Sequence, residues 1–313
     1  MTSTFRTAGL DRRALLAGLA SFGAAAVAGP VGAQPRQSLA KWRDKIGLQL
    51  YTVRDRFPTD YAGTMKAVSA IGFKEVQSTL NYAGLSFDQI KKALDDAHLI
   101  SAVTHVNPPP GPQFEPTLDA YARIGHRYTT VAVSAPISRQ TPSTSEQVKK
   151  VAAELNAAGA ITKKHGLKVI FHNHTEEFEP LTDKPNQVPY DIIMSETDPD
   201  LVALEIDAGW ATAGGANVLD LFKRAPGRYE VWHVKDFKDL ASLQSVRPLN
   251  RLAAGSSKIV GLGQGEIDYR PIFAAADQAG LKHFYIEQDT APATGDSLAA
   301  AGASYRYLAQ LLT

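Results

Sequence analysis

Short apolar runs alternate along this chain with longer stretches whose apolar residues recur every three or four positions. The runs fall at 46–51, 73–77, 100–106, 128–133, from 168 onward, and at 201–207, 229–236 and 283–289. Helical spacing occupies 61–71, 87–97, 118–125, 144–165, 190–196, 218–224, 269–279 and 297–311. Met65, Val68 and Ile71 form one apolar stripe, and Val148, Val151 and Leu155 another. Alternation repeated eight times predicts an α/β chain folded as a closed (β/α)8 TIM barrel. Two segments fall outside the alternation. The Pro108-Pro109-Pro110-Gly111-Pro112 run reads as an extended loop, and 239–265 as one long irregular stretch.

The last four runs end alike. Lys168-Val169-Ile170-Phe171 breaks into His172-Asn173-His174-Thr175-Glu176-Glu177. The next run closes in Glu205-Ile206-Asp207 before Ala208-Gly209-Trp210, the next in His233-Val234-Lys235-Asp236, and the last in Glu287-Gln288-Asp289. Side chains alternate along a strand, so the last inward residue of each sits nearest the open mouth. Asp207, His233 and Glu287 are therefore expected to converge, joined by His172 or Glu177 from the fifth strand. Carboxylates with one imidazole suit one divalent ion, Mn²⁺, Mg²⁺, Co²⁺ or Zn²⁺.

Composition narrows the setting. Residues 1–33 carry Arg12-Arg13, a weakly apolar Ala/Gly-rich run and small residues before Gln34, which reads as a Tat-type export signal. Residues 34–313 are then one periplasmic barrel domain with no stable membrane association after cleavage. The chain has no cysteine, which excludes disulfides and thiol chemistry. A net charge of +1, with Lys and Arg scattered, gives no footprint for nucleic acid.

As a set, Leu50-Tyr51-Thr52-Val53-Arg54-Asp55, His172-Asn173-His174 with Glu177-Phe178, Glu205-Ile206-Asp207, Trp232-His233-Val234-Lys235-Asp236, Gly263-Gln264-Gly265-Glu266-Ile267-Asp268 and Ile286-Glu287-Gln288-Asp289 resemble the sugar phosphate isomerase/epimerase family of xylose-isomerase-like TIM barrels. The resemblance spans residues 34–313. It implies a metal held by Glu177, Asp207, His233 and Glu287, although some family epimerases place the first Glu within strand five, where this chain has His172. His172 or His174 then faces the substrate. Substrate contacts are expected from Tyr51, Trp210 and Glu266.

The chemistry follows from these parts. A metal chelating a carbonyl and its neighbouring hydroxyl acidifies the intervening C–H and stabilises an enediolate. Glu177, Glu287, His172, His174 and His105 are candidate proton carriers, and Lys235 can neutralise an oxyanion. The expected activity is isomerisation or epimerisation of an unphosphorylated keto-sugar. The alternative is a lyase cleaving 3-keto-glycosides by β-elimination. Gly261 to Gly265 resembles a phosphate-gripping loop, but a lone glycine-rich loop is weak and export argues against phosphosugars. Two other classes are a DNA-repair endonuclease of the related barrel family and a non-catalytic periplasmic sugar-binding protein. The expected partner is a small carbohydrate, with self-association into a homo-oligomer left open.

Overall fold

Residues 1 and 39–313 are described by the computed structural model; the twin arginine and the export signal expected over 1–33 lie outside the described residues, apart from residue 1. Eight parallel strands close in the order β1 (Ile46–Gln49), β10 (His283–Ile286), β7 (Val231–Val234), β6 (Val202–Asp207), β5 (Lys168–His172), β4 (Tyr128–Thr129), β3 (Ile100–Thr104) and β2 (Glu75–Ser78). Each chain-consecutive pair is joined through a helical connection, as a right-handed parallel barrel demands. The helices start where the sequence supplies caps. Asp60 accepts the N–H of Gly63 at 2.7 Å ahead of Tyr61–Ile71, and Ser86 and Thr144 form capping boxes with Gln89 and Gln147. Outward strand residues such as Leu204, Ile206, Trp232 and Phe284 pack beneath the helices and are fully buried.

Inside the barrel the side chains lie in layers. Ile170, Ala203, Val231 and Tyr285 fill the lower part. Register sets what lies above. His172 pairs with Glu205, and Asp207 with His233, so one layer is polar and the next carries the predicted ligands. Below, Glu75 accepts from Tyr285 and faces His283, while Glu230 accepts from Tyr128, Lys168 and Lys282.

Two expectations change. The fourth strand is only Tyr128–Thr129, and the chain beyond it is loop. The segment 239–265 is not irregular: it holds helices Leu240–Gln244 and Pro248–Gly255, and its last strand, β9 (Ile259–Val260), pairs antiparallel with β8 (Asp236–Phe237). This small sheet lies outside the barrel, and a two-residue pairing is too short to show period-two alternation.

The glycine-rich loop is already filled. Asp236, buried, accepts the N–H groups of Gly263 and Gly265 at 3.0 Å, of Ile267 at 3.2 Å and of Phe237 at 2.9 Å. An internal carboxylate thus takes the donors a phosphate would need. A Cβ on Gly265 would stand 2.2 Å from Asp236 Oδ1 and 2.5 Å from the Phe237 carbonyl oxygen. Gly265→Ala is therefore expected to cost about 1–3 kcal/mol of overpacking strain, seen as a melting temperature several degrees lower. An unchanged melting temperature would mean the loop yields freely.

Candidate metal and proton-transfer site

The mouth of the barrel gathers charged side chains that the strands deliver at one level. Asp207 ends β6; its Oδ1 accepts the N–H of Trp210 at 2.7 Å, capping the next helical turn, while Oδ2 has no hydrogen-bond partner. Asn173 locks this end of the strand, accepting the Asp207 N–H at 3.0 Å. His233 lies fully buried. Its Nε2 donates to Gln77 Oε1 at 2.5 Å, which leaves Nδ1 facing Glu287 Oε2 at 2.7 Å and Asp207 Oδ2 at 3.9 Å, without hydrogen-bond alignment to either. Asp207, His233 and Glu287 offer one atom each within 4.8 Å of one another.

The electrostatics match the geometry. Burial raises Asp207 to about 6, with Lys235 and His233 pulling the other way. Burial alone would lower His233, but Glu205 and Glu287 outweigh it and raise it to about 10. Glu287 would be raised by burial, yet Lys235 and His233 hold it well below the usual range. Two carboxylates and an imidazole converging at one buried point form a donor set that fits a divalent cation, and the imidazole's far nitrogen is held by a hydrogen bond to Gln77, the kind of outer contact that orients metal-binding histidines.

Lys235 is the cation of this layer. Its Nζ lies 2.8 Å from Asp289 Oδ2, 3.1 Å from Glu287 Oε2 and 3.3 Å from Asp207 Oδ2. Burial lowers its proton affinity, but these three carboxylates overcome that and keep it protonated. Trp210 stands beside it, 5.3 Å from ring centroid to Nζ, and is only 2% exposed. Trp210 is thus chiefly a wall. Tyr51 is half-buried, stacked 3.9 Å from the Arg54 guanidinium, and lines the same cavity of about 340 Å³ with His174 and Lys235.

The fifth strand departs from expectation. Glu177 is not brought to the Asp207 group. Its Oε2 accepts the N–H of His174 at 2.8 Å, folding the side chain back on its own turn, and burial beside Glu176 raises it to about 8. His172 instead points into the polar layer below, its Nδ1 3.3 Å from Glu205 Oε2. Burial, then His233, lowers it to about 3. His174 is likewise held neutral by burial and by His172, and accepts from Arg139 at 3.4 Å. His105 contacts Glu205. Glu266 is not at the site: it is exposed and its carboxylate takes the N–H of Asp239.

Other residues enter that the pattern did not single out. Glu205 shares the inward face with Asp207, so period two alone marks it. Gln49 ends β1 and Gln77 lies one residue before the end of β2; Gln77 Oε1 accepts from Gln49 at 2.6 Å as well as from His233. Arg139 comes from the loop after β4 and pairs with Glu176 at 2.8 Å; nothing in its local sequence signals this. A larger cavity of about 710 Å³ opens beside the site, where His105, His172 and His174 meet Val131, Ile137 and Phe171.

Fold and site together define a (β/α)8 barrel with a carboxylate and imidazole cluster at the C-terminal mouth of its strands, where such barrels place their chemistry. The profile of the xylose isomerase-like TIM barrel family matches residues 65–311, and the chain belongs to that family. The inosose dehydratase of Clostridium perfringens is 28% identical over 166 residues, 52% of this chain and 54% of that protein. The chain thus spans about half the length of the curated relatives it matches. A sugar phosphate isomerase/epimerase from Parabacteroides distasonis superposes with a TM-score of 0.67 at 22% identity, over 84% of this chain and 96% of that one. IolI, solved with a bound zinc atom, superposes with a TM-score of 0.66 at 15% identity, over 86% and 98%. At these identities the superpositions establish the fold.

Proposed function

We propose that this chain is a divalent-metal-dependent enzyme that removes a proton α to the carbonyl of an unphosphorylated keto-sugar. The observation that carries the reading is the convergence of Asp207, His233 and Glu287 at one point of the mouth, with Asp207 Oδ2 and His233 Nδ1 buried and without an aligned hydrogen bond. A divalent ion bound there would supply Lewis acidity to a substrate carbonyl and its neighbouring hydroxyl. The zinc atom in IolI supports an ion in this fold, and Mn²⁺, Mg²⁺, Co²⁺ and Zn²⁺ all suit the donor set.

This chain's own residues would do the rest. His174, held neutral by burial at the edge of both cavities, can accept a proton. Lys235 stays charged beside the forming oxyanion. Glu177, raised to about 8, keeps its proton at neutral pH and can return one from the side of the larger cavity. Return to the neighbouring carbon isomerises the sugar, and return to the opposite face epimerises it. The Asp236-filled glycine loop favours a substrate without phosphate.

A second reading rests on the 710 Å³ cavity. Its apolar wall suits a second ring attached to the sugar. Removal of the α-proton from a 3-keto-glycoside would then expel that ring as a leaving group, breaking its C–O bond and leaving an unsaturated ketone. The dehydratase names of the relatives support elimination chemistry of this kind.

Incubation of the metal-loaded protein in D₂O with ketoses and 3-keto-glycosides tests both. Deuterium in an otherwise intact sugar supports isomerisation or epimerisation. Release of the second ring with an unsaturated ketone supports the lyase. Sugar binding with neither exchange nor product would make the chain a binding protein.

Export belongs to the same proposal. No helix among the described residues is long and apolar enough to cross a membrane. Replacing Arg12 and Arg13 by Lys is expected to leave uncleaved protein in the cytoplasm, checked by fractionation. Normal periplasmic processing of that variant would refute export through the twin arginine.

A further inference from the structure

Beneath the Asp207 layer lies a second cluster that the proposed proton transfer does not use as a unit. Glu205 is fully buried, and three imidazoles surround it. The ring centroids of His105, His172 and His233 are 5.1, 5.2 and 4.6 Å apart pairwise. Glu205 Oε2 contacts His105 Nε2 and lies 3.3 Å from His172 Nδ1. Glu205 Oε1 accepts from Gln77 Nε2 at 2.5 Å and lies 3.3 Å from His233 Nε2.

A buried hydrogen-bond network explains only part of this. Gln77 and His105 satisfy the Glu205 carboxylate, but His172 Nδ1 is buried with no hydrogen-bond partner while aimed at it. An unpartnered imidazole nitrogen beside a carboxylate is a metal-ligand arrangement. Bonds of 2.0–2.1 Å in a tetrahedral zinc site place ligand atoms roughly 3.3 Å apart; the His172 to Glu205 separation is 3.3 Å, and the closer His105 to Glu205 contact opens to that spacing when an ion enters. His233 Nε2 is committed to Gln77, so His105, His172 and Glu205 remain: two imidazoles, one carboxylate and one open position. That is the ligand count of a catalytic rather than a structural zinc site. The open position lies toward the mouth, since His105 and His172 line both cavities there.

Charge points the same way. Glu205, Asp207, Glu287 and Asp289 converge here against the ammonium of Lys235 and the imidazole of His233. With His233 neutral as its ligand, one divalent ion at the Asp207 layer still leaves one negative charge uncompensated, and Lys235 pairs with Asp207, Glu287 and Asp289 and not with Glu205.

We propose that His105, His172 and Glu205 form a second divalent-cation site of zinc type, deeper than the Asp207, His233 and Glu287 site and separate from it. Its exchangeable position takes a substrate or solvent oxygen. Nitrogen-rich donors favour Zn²⁺ or Co²⁺ there over Mg²⁺.

The test is metal stoichiometry of the full chain, stripped of metal and titrated with Zn²⁺. The wild type is expected to bind two equivalents. Glu205→Gln and His105→Asn are each expected to bind one, and Asp207→Asn to bind the other one. With Co²⁺ in place of Zn²⁺, Asp207→Asn should keep the strong visible absorption of a four-coordinate site, and Glu205→Gln should lose it. One equivalent in the wild type, or two in Glu205→Gln, overturns the proposal. Loss of both equivalents in Glu205→Gln with a native circular dichroism spectrum also overturns it, since the sites would then be one. Should Glu205→Gln fail to fold, His105→Asn carries the count. Two equivalents without turnover on any keto-sugar would leave this site standing while removing the enzymatic reading.

Discussion

Asp207→Ala and His233→Ala are each expected to lose the ion at the mouth and lower turnover by about a thousandfold, roughly 4 kcal/mol of transition-state stabilisation. The fold should persist. Both residues sit at the carboxyl ends of their strands, above the packed layer of Ile170, Ala203, Val231 and Tyr285. Asp207→Ala also removes the acceptor for the Trp210 N–H, costing about 1 kcal/mol. Elemental analysis beside circular dichroism checks the pair; unchanged metal content in both variants would refute the assignment. Protons compete with the ion. His233 is raised to about 10 and Asp207 to about 6, so both bind protons more tightly than usual and must release them to bind metal. Affinity should therefore rise with pH across the neutral range and into the alkaline. A pH-independent dissociation constant would place the ion elsewhere.

The second large effect is expected from Lys235→Met. The side chain is buried, and its ammonium is the near counter-charge of three carboxylates. Removing one partner from a buried charge cluster costs about 3–5 kcal/mol because the remaining charges are left uncompensated. The metal-free variant should unfold at a markedly lower urea concentration than the metal-free wild type. Saturating Zn²⁺ or Mn²⁺ should restore part of the difference, since a divalent ion supplies the missing positive charge. Equal stability of the two metal-free proteins would show that Asp207, Glu287 and Asp289 need no ammonium between them. Turnover should fall even where stability recovers, because the ion does not replace the charge at the position of Nζ.

Glu177 and His172 show where local reading stops. Glu177 lies just past the strand, in a loop that a sequence allows to turn either way. The structure turns it back onto the His174 N–H, a contact three residues away that outcompetes a reach across the mouth. His172 is inward by alternation, but alternation does not say which carboxylate it meets. That follows from the pairing of β5 with β6, which sets His172 level with Glu205.

By itself the sequence determined the barrel and three of its mouth residues. Eight alternations of buried run and amphipathic helix admit few other folds, and a period of two places Asp207, His233 and Glu287 inward at their strand ends whatever lies across the barrel. Only the tertiary structure decided which residues share a level, and so the cluster at Glu205, the enclosure of Lys235 by three carboxylates and the filling of the glycine loop by Asp236. Those depend on strand register and on contacts between segments far apart in the chain, and no local pattern of apolar and polar positions carries that information.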